Sequence, residues 1–158
     1  MSTDRGIYLP HDGFPLGFNT ELGHPPMDYR ALQRMVGGLI EATYPDIGGD
    51  EHQLTVWLNE ESRILSQSPN RWASSLVHES YGYPMLGDGV LLSTDELGES
   101  VGLDEREFEW ISGRLDRAAP SWYQAQGVAP VSDTLTFSFT WQEVHMMTME
   151  KRAIEEQT

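Results

Sequence analysis

Two short stretches carry residue types that could hold an ion or a ligand. In the first, Asn70 and Arg71 follow Ser68-Pro69, a pair typical of a helix start. Backbone N–H groups at a helix N-terminus favour an anion, and the guanidinium of Arg71 would add a forked donor. In the alternative interpretation, Asn70 helps to cap the helix and Arg71 pairs with an acid such as Glu60. The sequence leaves both interpretations open.

The second stretch is a loop in which Asp46, Asp50 and Glu51 flank two glycines. Carboxylate oxygens suit a hard cation such as calcium. The loop lacks the alternating oxygen ligands of an EF-hand, so a solvated turn is the simpler interpretation. We therefore predict no metal site in this loop.

The histidines do not form a motif. They are His11, His24, His52, His78 and His145, and no two have the spacing of metal ligands on a helix. His78 and Glu79 would point about 100° apart on a helix, so their proximity in sequence makes no acid–base dyad. Nucleophile, phosphate-loop and zinc-protease motifs are also missing from the sequence. We predict no catalytic residue, no metal and no cofactor, while a metal site assembled from distant histidines stays open.

Charge is the strongest compositional signal. The chain has 25 acidic residues against 10 basic ones, a formal net charge of −15. Such a surface repels nucleic acid and anionic lipid, so no direct nucleic-acid binding is expected. Two stretches, 35–62 and 72–105, contain acids and no Lys or Arg. The acids that we select as an interaction surface are Asp46, Asp50, Glu51, Glu60, Glu61, Asp95, Glu96 and Glu99.

Length and composition indicate one compact domain over residues 1–158. The 158 residues suffice for one core of ordinary size, and the chain has no cysteine. No apolar run approaches the roughly 18 residues that a membrane span needs. The first residues lack a basic region followed by an apolar stretch, so we expect a cytoplasmic protein without membrane contact.

A helix over residues 28–43 is expected to organise the chain. Asp28 is a good N-cap, and Pro45 would stop the helix. Its apolar stripe comprises Leu32, Met35, Val36, Leu39 and Ile40.

Gly37 and Gly38 fall in the middle of this predicted helix, where each costs about 1 kcal/mol relative to alanine. Two glycines there indicate the close approach of a strand, another helix or a ligand. With Asn70 and Arg71, they are our candidate ligand-binding residues.

The remaining pattern predicts an α+β fold, a small mixed or mainly antiparallel sheet with about three helices packed on it. Strands are predicted over 6–9, 53–58, 90–94 and 134–141, with a hairpin partner at 16–18 and a return strand at 63–66. Two further helices begin near Ser68, the expected N-cap, and at Asp104, which forms a capping box with Glu107. The tail from Glu143 is expected to begin as a strand and to finish as a helix.

Three segments, taken in order, carry a family resemblance: LQRMVGGLIEA, LTVWLNEESRILSQSPNRWASSL and MLGDGVLLSTDELGESVGL. They resemble a domain family of unknown function found in bacteriophages, plasmids and actinobacterial genomes. The resemblance covers about residues 6–103 and is most specific at NEES, PNRWAS and LGDGVLL. It implies a helix–hairpin–helix–strand order and no catalytic residue. The proline-rich segment before the first helix and residues 104–158, which add a helix, a strand and a tail, depart from the family pattern.

These features favour a non-catalytic acidic interaction protein of a phage or mobile element, with a basic protein as its partner. In its more specific form, the protein is a nucleic-acid mimic directed at a host protein. Duplex DNA carries a charge every ~1.7 Å of its axis, so a mimic needs dense rows of carboxylates. The alternative is a small-ligand-binding protein or an enzyme with a pocket near the first helix. The sequence does not decide between a monomer and a homodimer.

Overall fold

The computed structural model describes residues 2–22, 27–45, 53–81, 84–120, 135 and 139–156. These residues form seven strands: β1 (Ser2–Leu9), β2 (Leu16–Asn19), β3 (Ile40–Thr43), β4 (Gln53–Asn59), β5 (Gly89–Thr94), β6 (Ser100–Val101) and β7 (Leu103–Asp104). They also form four helices: α1 (Tyr29–Val36), α2 (Arg71–Tyr81), α3 (Glu105–Ala118) and α4 (Trp141–Glu156). The predicted α+β class is confirmed. No helix in this part of the chain is long and apolar enough to cross a membrane.

The sheet is open, and its paired strands are antiparallel. The main order is β2-β1-β5-β4-β3, with β6 beside β5 and β7 beside β1. The predicted hairpin between the first strand and residues 16–18 is confirmed as β1–β2. Residues at the end of β1 pair with the beginning of β5, so the loops that follow Leu9 and precede Gly89 meet at one end of the sheet.

Helices cover both faces of the sheet. Successive residues of a strand point to opposite faces, and in β1 Ile7 belongs to one apolar cluster while Tyr8 belongs to the other. The first cluster includes residues of α2 and α3. The second includes residues of α1 and α4. This double coverage explains why β5 is apolar on both of its faces, with Val90, Leu91 and Leu92 all buried.

The predicted helix over 28–43 is confirmed in its first half and wrong in its second half. Asp28 caps it as expected, accepting from the Ala31 N–H, but α1 ends at Val36. Gly37 adopts a left-handed φ of 82° and donates to the Gln33 carbonyl, which is how glycine commonly ends a helix. Residues 40–43 then pair with β4 as an edge strand. The buried residues of the predicted stripe are Leu32, Met35 and Val36, whereas Leu39 is 55% exposed.

The predicted return strand over 63–66 is also wrong, and the strand predicted over 134–141 is wrong at its described residues. Residues 63–66 lie in turns, and β4 pairs with β3 and β5 instead. In the predicted strand over 134–141, Leu135 lies in a turn, Phe139 forms a single bridge to Phe18, and Trp141 already begins α4. Residues 134 and 136–138 of this predicted strand lie outside the residues that the structure describes. The tail from Glu143 is therefore helical from its beginning.

The helix starts differ in how well they were predicted. The capping box between Asp104 and Glu107 is confirmed, with both reciprocal hydrogen bonds present. For α2, the predicted cap Ser68 is wrong. The side chain of Asn70 accepts from the Ala73 N–H at 3.0 Å and so caps the helix.

Candidate functional site

Asn70 is a buried crosslink and not an exposed anion ligand. Its side-chain amide donates to the carbonyls of Leu9 and Gly87, each at 2.8 Å. Its side-chain oxygen accepts from Ala73, and the residue is fully buried. These three bonds tie the end of β1 to the loop before β5 and to the first turn of α2. The capping interpretation of Asn70 is thereby favoured over the anion-binding one.

This crosslink brings together two chemistry-bearing residues, His11 and Asp88. One carboxylate oxygen of Asp88 lies 2.8 Å from Nδ1 of His11 and accepts from the His11 backbone N–H at 2.9 Å. The Asp88 side chain is 3% exposed, and the His11 side chain is 30% exposed. A buried carboxylate is stable only with such polar partners. The pair therefore holds the imidazole in one orientation.

The pair lies on the wall of a cleft of about 320 Å³. The other lining residues come from the end of β1, the loop after it, the start of β2 and α4: Tyr8, Pro10, Asp12, Gly13, Phe14, Leu16, Met147 and Thr148. Trp72 in α2 anchors the loop that follows β1, because its indole N–H donates to the Gly13 carbonyl at 2.9 Å. We call this feature the His11–Asp88 cleft.

Sequence reasoning missed this site because its two polar residues are 77 positions apart. No spacing pattern relates them, because the pairing of β1 with β5 and the Asn70 crosslink bring them together. The available signal was local: Asp88 lies between two glycines just before an apolar strand. That pattern indicated a turn, and it did not indicate a partner for the carboxylate.

The four candidate ligand-binding residues do not form one site. Gly37 and Gly38 follow α1 on one face of the sheet, while Asn70 and Arg71 begin α2 on the other. A Cβ on Gly38 would lie 2.9 Å from Nδ2 of Asn59, so a side chain makes the close approach there. Arg71 is exposed, and its guanidinium donates to the Ala118 carbonyl at 3.4 Å.

A separate cavity of about 550 Å³ lies beside α1. It is lined by Asp28, Arg30, Ala31, Gln33, Arg34, Gly37 and Trp141. Of the four candidate residues, only Gly37 reaches it. The arginines make its rim locally basic, which is unusual in a chain of net charge −15.

Near this rim, burial lowers the pKa of His145, and the positive charge of Arg34 lowers it further. The unfolded state therefore binds the proton better than the folded state, and stability is lost as the pH falls below about 6.5, the ordinary histidine value. We expect His145→Gln to remove this pH-dependent loss of stability. Between neutral and mildly acidic pH, the urea midpoint of the variant should therefore fall less than the urea midpoint of the unmodified chain. An NMR titration of Arg34→Gln should show a raised His145 pKa. Equal acid sensitivity of the His145→Gln variant would contradict the assignment.

The described acids of the predicted interaction surface form two groups. Glu60 and Glu61 are exposed just after β4, while Glu96 and Glu99 are exposed in the turn after β5. Asp95 lies in the same turn, where its carboxylate accepts from the N–H groups of Leu97 and Glu99. Because β4 and β5 are antiparallel, the two groups lie at opposite ends of β4. Asp46, Asp50 and Glu51 lie outside the described residues.

The group after β4 is accompanied by large exposed apolar side chains. Ile64 is 82% exposed, Leu65 is 53% exposed and Leu39 is 55% exposed. The carbonyl of Leu39 accepts from the Glu60 N–H, so the chain after α1 adjoins the turn after β4. We call the set Leu39, Glu41, Glu60, Glu61, Ile64 and Leu65 the β4-end surface.

An antiparallel sheet between two layers of helices places the protein in the α+β class. The chain belongs to the DUF3846 family, a domain of unknown function, whose family model matches residues 16–116. This confirms the resemblance over residues 16–103, while residues 6–15 lie outside the match. The match also includes residues 16–27 and 104–116, so the prediction that these parts depart from the family pattern is wrong. No curated protein and no solved structure gives a significant match. Of the paired residues in the cleft, Asp88 lies inside the matched range and His11 precedes it.

Proposed function

We propose that the chain is a non-catalytic acidic interaction protein that acts in the cytoplasm and binds a basic protein through the β4-end surface. The observation that carries this proposal is the exposure of Ile64, Leu65 and Leu39 beside exposed carboxylates. Apolar side chains grouped on a surface favour contact with a partner, because burying them removes apolar area from water. Carboxylates around them select a partner of positive charge.

Electrostatics and apolar burial have separable roles in this proposal. The net charge of −15 raises the rate of encounter with a basic protein, and salt screens that attraction. The apolar side chains slow dissociation once the surfaces are in contact. Binding should therefore weaken with salt and should also require Ile64 and Leu65. Solubility alone would explain the charge but not the exposed isoleucine and leucine.

Nucleic-acid mimicry is the more specific form of the proposal, with a host protein as the partner of a phage or mobile-element product. It is supported by the acidic stretches 35–62 and 72–105, which contain no Lys or Arg. A mimic competes directly with the nucleic acid that its partner binds. Once a partner is in hand, duplex DNA or RNA should displace the protein from it. Simultaneous binding of both would exclude mimicry and leave the plainer interaction.

The main test is a pull-down from host lysate with the double variant Ile64→Ser/Leu65→Ser. We expect the partner captured by the unmodified chain to be lost, with an affinity at least about tenfold lower, because two apolar contacts leave the interface. Leu97→Ser is the matched control, since Leu97 is 84% exposed in the acidic turn at the opposite end of β4. Loss of the partner with Leu97→Ser, and not with the double variant, would contradict the assignment of the surface.

A second candidate function, binding of a small ligand, is favoured by the cavity beside α1. Its volume of about 550 Å³ is within the usual range of ligand pockets, and Arg30 and Arg34 line it. Two guanidinium groups suit an anionic ligand. Inorganic phosphate is a direct probe. Saturable chemical-shift changes in α1 that disappear in Arg30→Gln/Arg34→Gln would support this candidate, and their absence would count against it.

A further inference from the structure

We infer that the open edge of β3 receives an extended, basic segment of the partner, which adds to the sheet as an antiparallel strand of alternating apolar and basic residues. This inference rests on the proposed function, since β3 contributes Glu41 to the β4-end surface, and it names the kind of segment bound there. β3 is the last strand of the main order, and among the described strands only β4 pairs with it. Addition of a strand to such an edge is a common mode of peptide recognition.

The first argument is the direction of the backbone groups of β3. In an antiparallel pair, opposite residues alternate between pairs that exchange hydrogen bonds and pairs that do not. The Glu60 N–H donates to the Leu39 carbonyl, so these two residues are a bonded pair, and the next bonded pair contains Glu41. Ile40 and Ala42 therefore turn their N–H and C=O groups away from β4. Together they offer two donors and two acceptors to a new strand.

The second argument is the charge at this edge. Residues 35–62 include no Lys or Arg, and Glu41 is exposed in the middle of β3. In an added strand that bonds to Ile40 and Ala42, the residue opposite Glu41 belongs to a non-bonded pair, in which side chains approach most closely. Opposite charges stabilise such a pair. Lysine or arginine is therefore preferred at that position.

The same charge disfavours a second copy of this chain as the occupant. An antiparallel copy that uses the outward groups of both Ile40 and Ala42 would set the Glu41 carboxylates of the two copies opposite each other. Like charges in that arrangement are destabilising, and each copy carries a net charge of −15. Charged residues commonly protect edge strands from pairing between copies. Here the charge leaves the edge open to a basic segment.

The third argument is a cavity of about 260 Å³ beside Glu41. Its wall combines the carboxylates of Glu41 and Glu60 with apolar side chains that include Leu58 and Met85. Arg63 also lines it, so two carboxylates face one guanidinium and the charge of the wall is negative. Leu58 is the register partner of Glu41, so both side chains lie on the same face of the sheet. An aliphatic stem with a cationic end, as in lysine or arginine, suits such a wall.

The test uses the synthetic peptide acetyl-Val-Lys-Val-Lys-Val-amide. We expect saturable binding with a dissociation constant of about 1 mM or tighter at low salt, weakened as salt is added. At saturating peptide, the amide hydrogens of Ile40 and Ala42 should exchange at least about tenfold more slowly, whereas that of Glu41, already bonded to β4, should change little. Absence of this protection would overturn the inference. Equal binding of the peptide with glutamates in place of lysines would also overturn it.

Methylation of the peptide backbone separates strand addition from charge attraction. In the antiparallel arrangement the valines bond to β3, and the N–H groups of the lysines point away from it. N-methylation of the valines should therefore weaken binding by about tenfold or more, and N-methylation of the lysines by less than about threefold. Equal effects of the two modifications would contradict strand addition. This comparison requires no change to the protein, so it does not depend on the folding of a variant.

Variants of β3 extend the test to the partner. Ala42→Pro removes an outward N–H and should keep the bonds to β4, because proline is tolerated at an edge where its nitrogen faces away from the sheet. It should weaken binding of the peptide and of the partner by about tenfold or more, whereas Ala42→Val, the matched control, should bind as the unmodified chain does. Glu41→Gln, at an exposed residue, should weaken binding of the lysine peptide by about threefold or more.

The outcomes distinguish this inference from the proposed function. If Ala42→Pro keeps the partner and Ile64→Ser/Leu65→Ser loses it, the partner binds the β4-end surface without adding a strand. The inference then fails and the proposed function stands. If both variants keep the partner, the proposed function fails as well.

Discussion

Replacing Asn70 with alanine is expected to lower the free energy of unfolding by about 3–5 kcal/mol, because a cap and two buried hydrogen bonds are lost together. The carbonyls of Leu9 and Gly87 would lose their shared donor, and the Ala73 N–H would lose its acceptor. A fully buried side chain leaves little room for water to replace it. Urea denaturation at neutral pH measures the loss.

Two further variants identify the cause of this loss. Asn70→Asp keeps the oxygen that caps α2 but sets a carboxylate against two carbonyl oxygens, so it should destabilise at least as much as alanine. Ser68→Ala should change the free energy of unfolding by less than about 0.5 kcal/mol, because Ser68 is exposed and does not cap the helix. A large effect of Ser68→Ala, or a mild effect of Asn70→Asp, would contradict the role given to Asn70.

Elements whose signals are local could be predicted from the sequence. The capping box of α3 needs only Asp104 and Glu107, three residues apart, and its core residues Ile111 and Leu115 follow at helical spacing. The apolar run of β5 is similarly self-contained, and it was predicted within one residue of its observed bounds. In both cases neighbouring residues determine the conformation, and the tertiary structure agrees with it.

The segment after α1 shows why the rest could not be predicted. Val36, Leu39 and Ile40 satisfy helical spacing, yet Ile40 to Thr43 also suit a short strand. Pairing with β4, a contact across the sheet, selects the strand. Because β3 and β5 occupy both sides of β4, residues 63–66 cannot pair beside it as a return strand.

The candidate sites also depend on contacts between residues that are far apart in the sequence. Helical spacing and turn residues identified Asn70 as a residue of interest, but its partners Leu9 and Gly87 are 61 and 17 positions away. His11 was noted only as a scattered histidine, since nothing near it in sequence suggests a carboxylate partner. The exposure of Ile64 could not be predicted either, because the strand predicted over 63–66 implied that Ile64 pairs within the sheet. Non-local pairing determines all three positions.

Replacing Gly102 with alanine is expected to lower the free energy of unfolding by about 3 kcal/mol, the upper range for overpacking, because its neighbours are backbone. A Cβ there would lie 2.6 Å from the Cα of Asp4 and 2.7 Å from the Arg5 nitrogen. Those atoms belong to an irregularity in β1, where the register with β7 shifts between Ser2 and Arg5. The strand cannot move away without disturbing the bond from Thr20 N–H to the Asp4 carbonyl. Thermal and urea unfolding measure the effect.

Gly113→Ala is the matched control, a second glycine-to-alanine change with the opposite expected sign. Gly113 lies inside α3, and the nearest atom to an added Cβ is a guanidinium nitrogen of Arg117 at 4.0 Å. Alanine there should raise the free energy of unfolding by about 0.5–1 kcal/mol, because glycine loses more backbone entropy in a helix. If both variants change stability alike, the approach of β1 to Gly102 is not the cause. If Gly102→Ala lowers the free energy of unfolding and Gly113→Ala raises it, the close contact between the backbones at Gly102 and Asp4 is the cause of the loss.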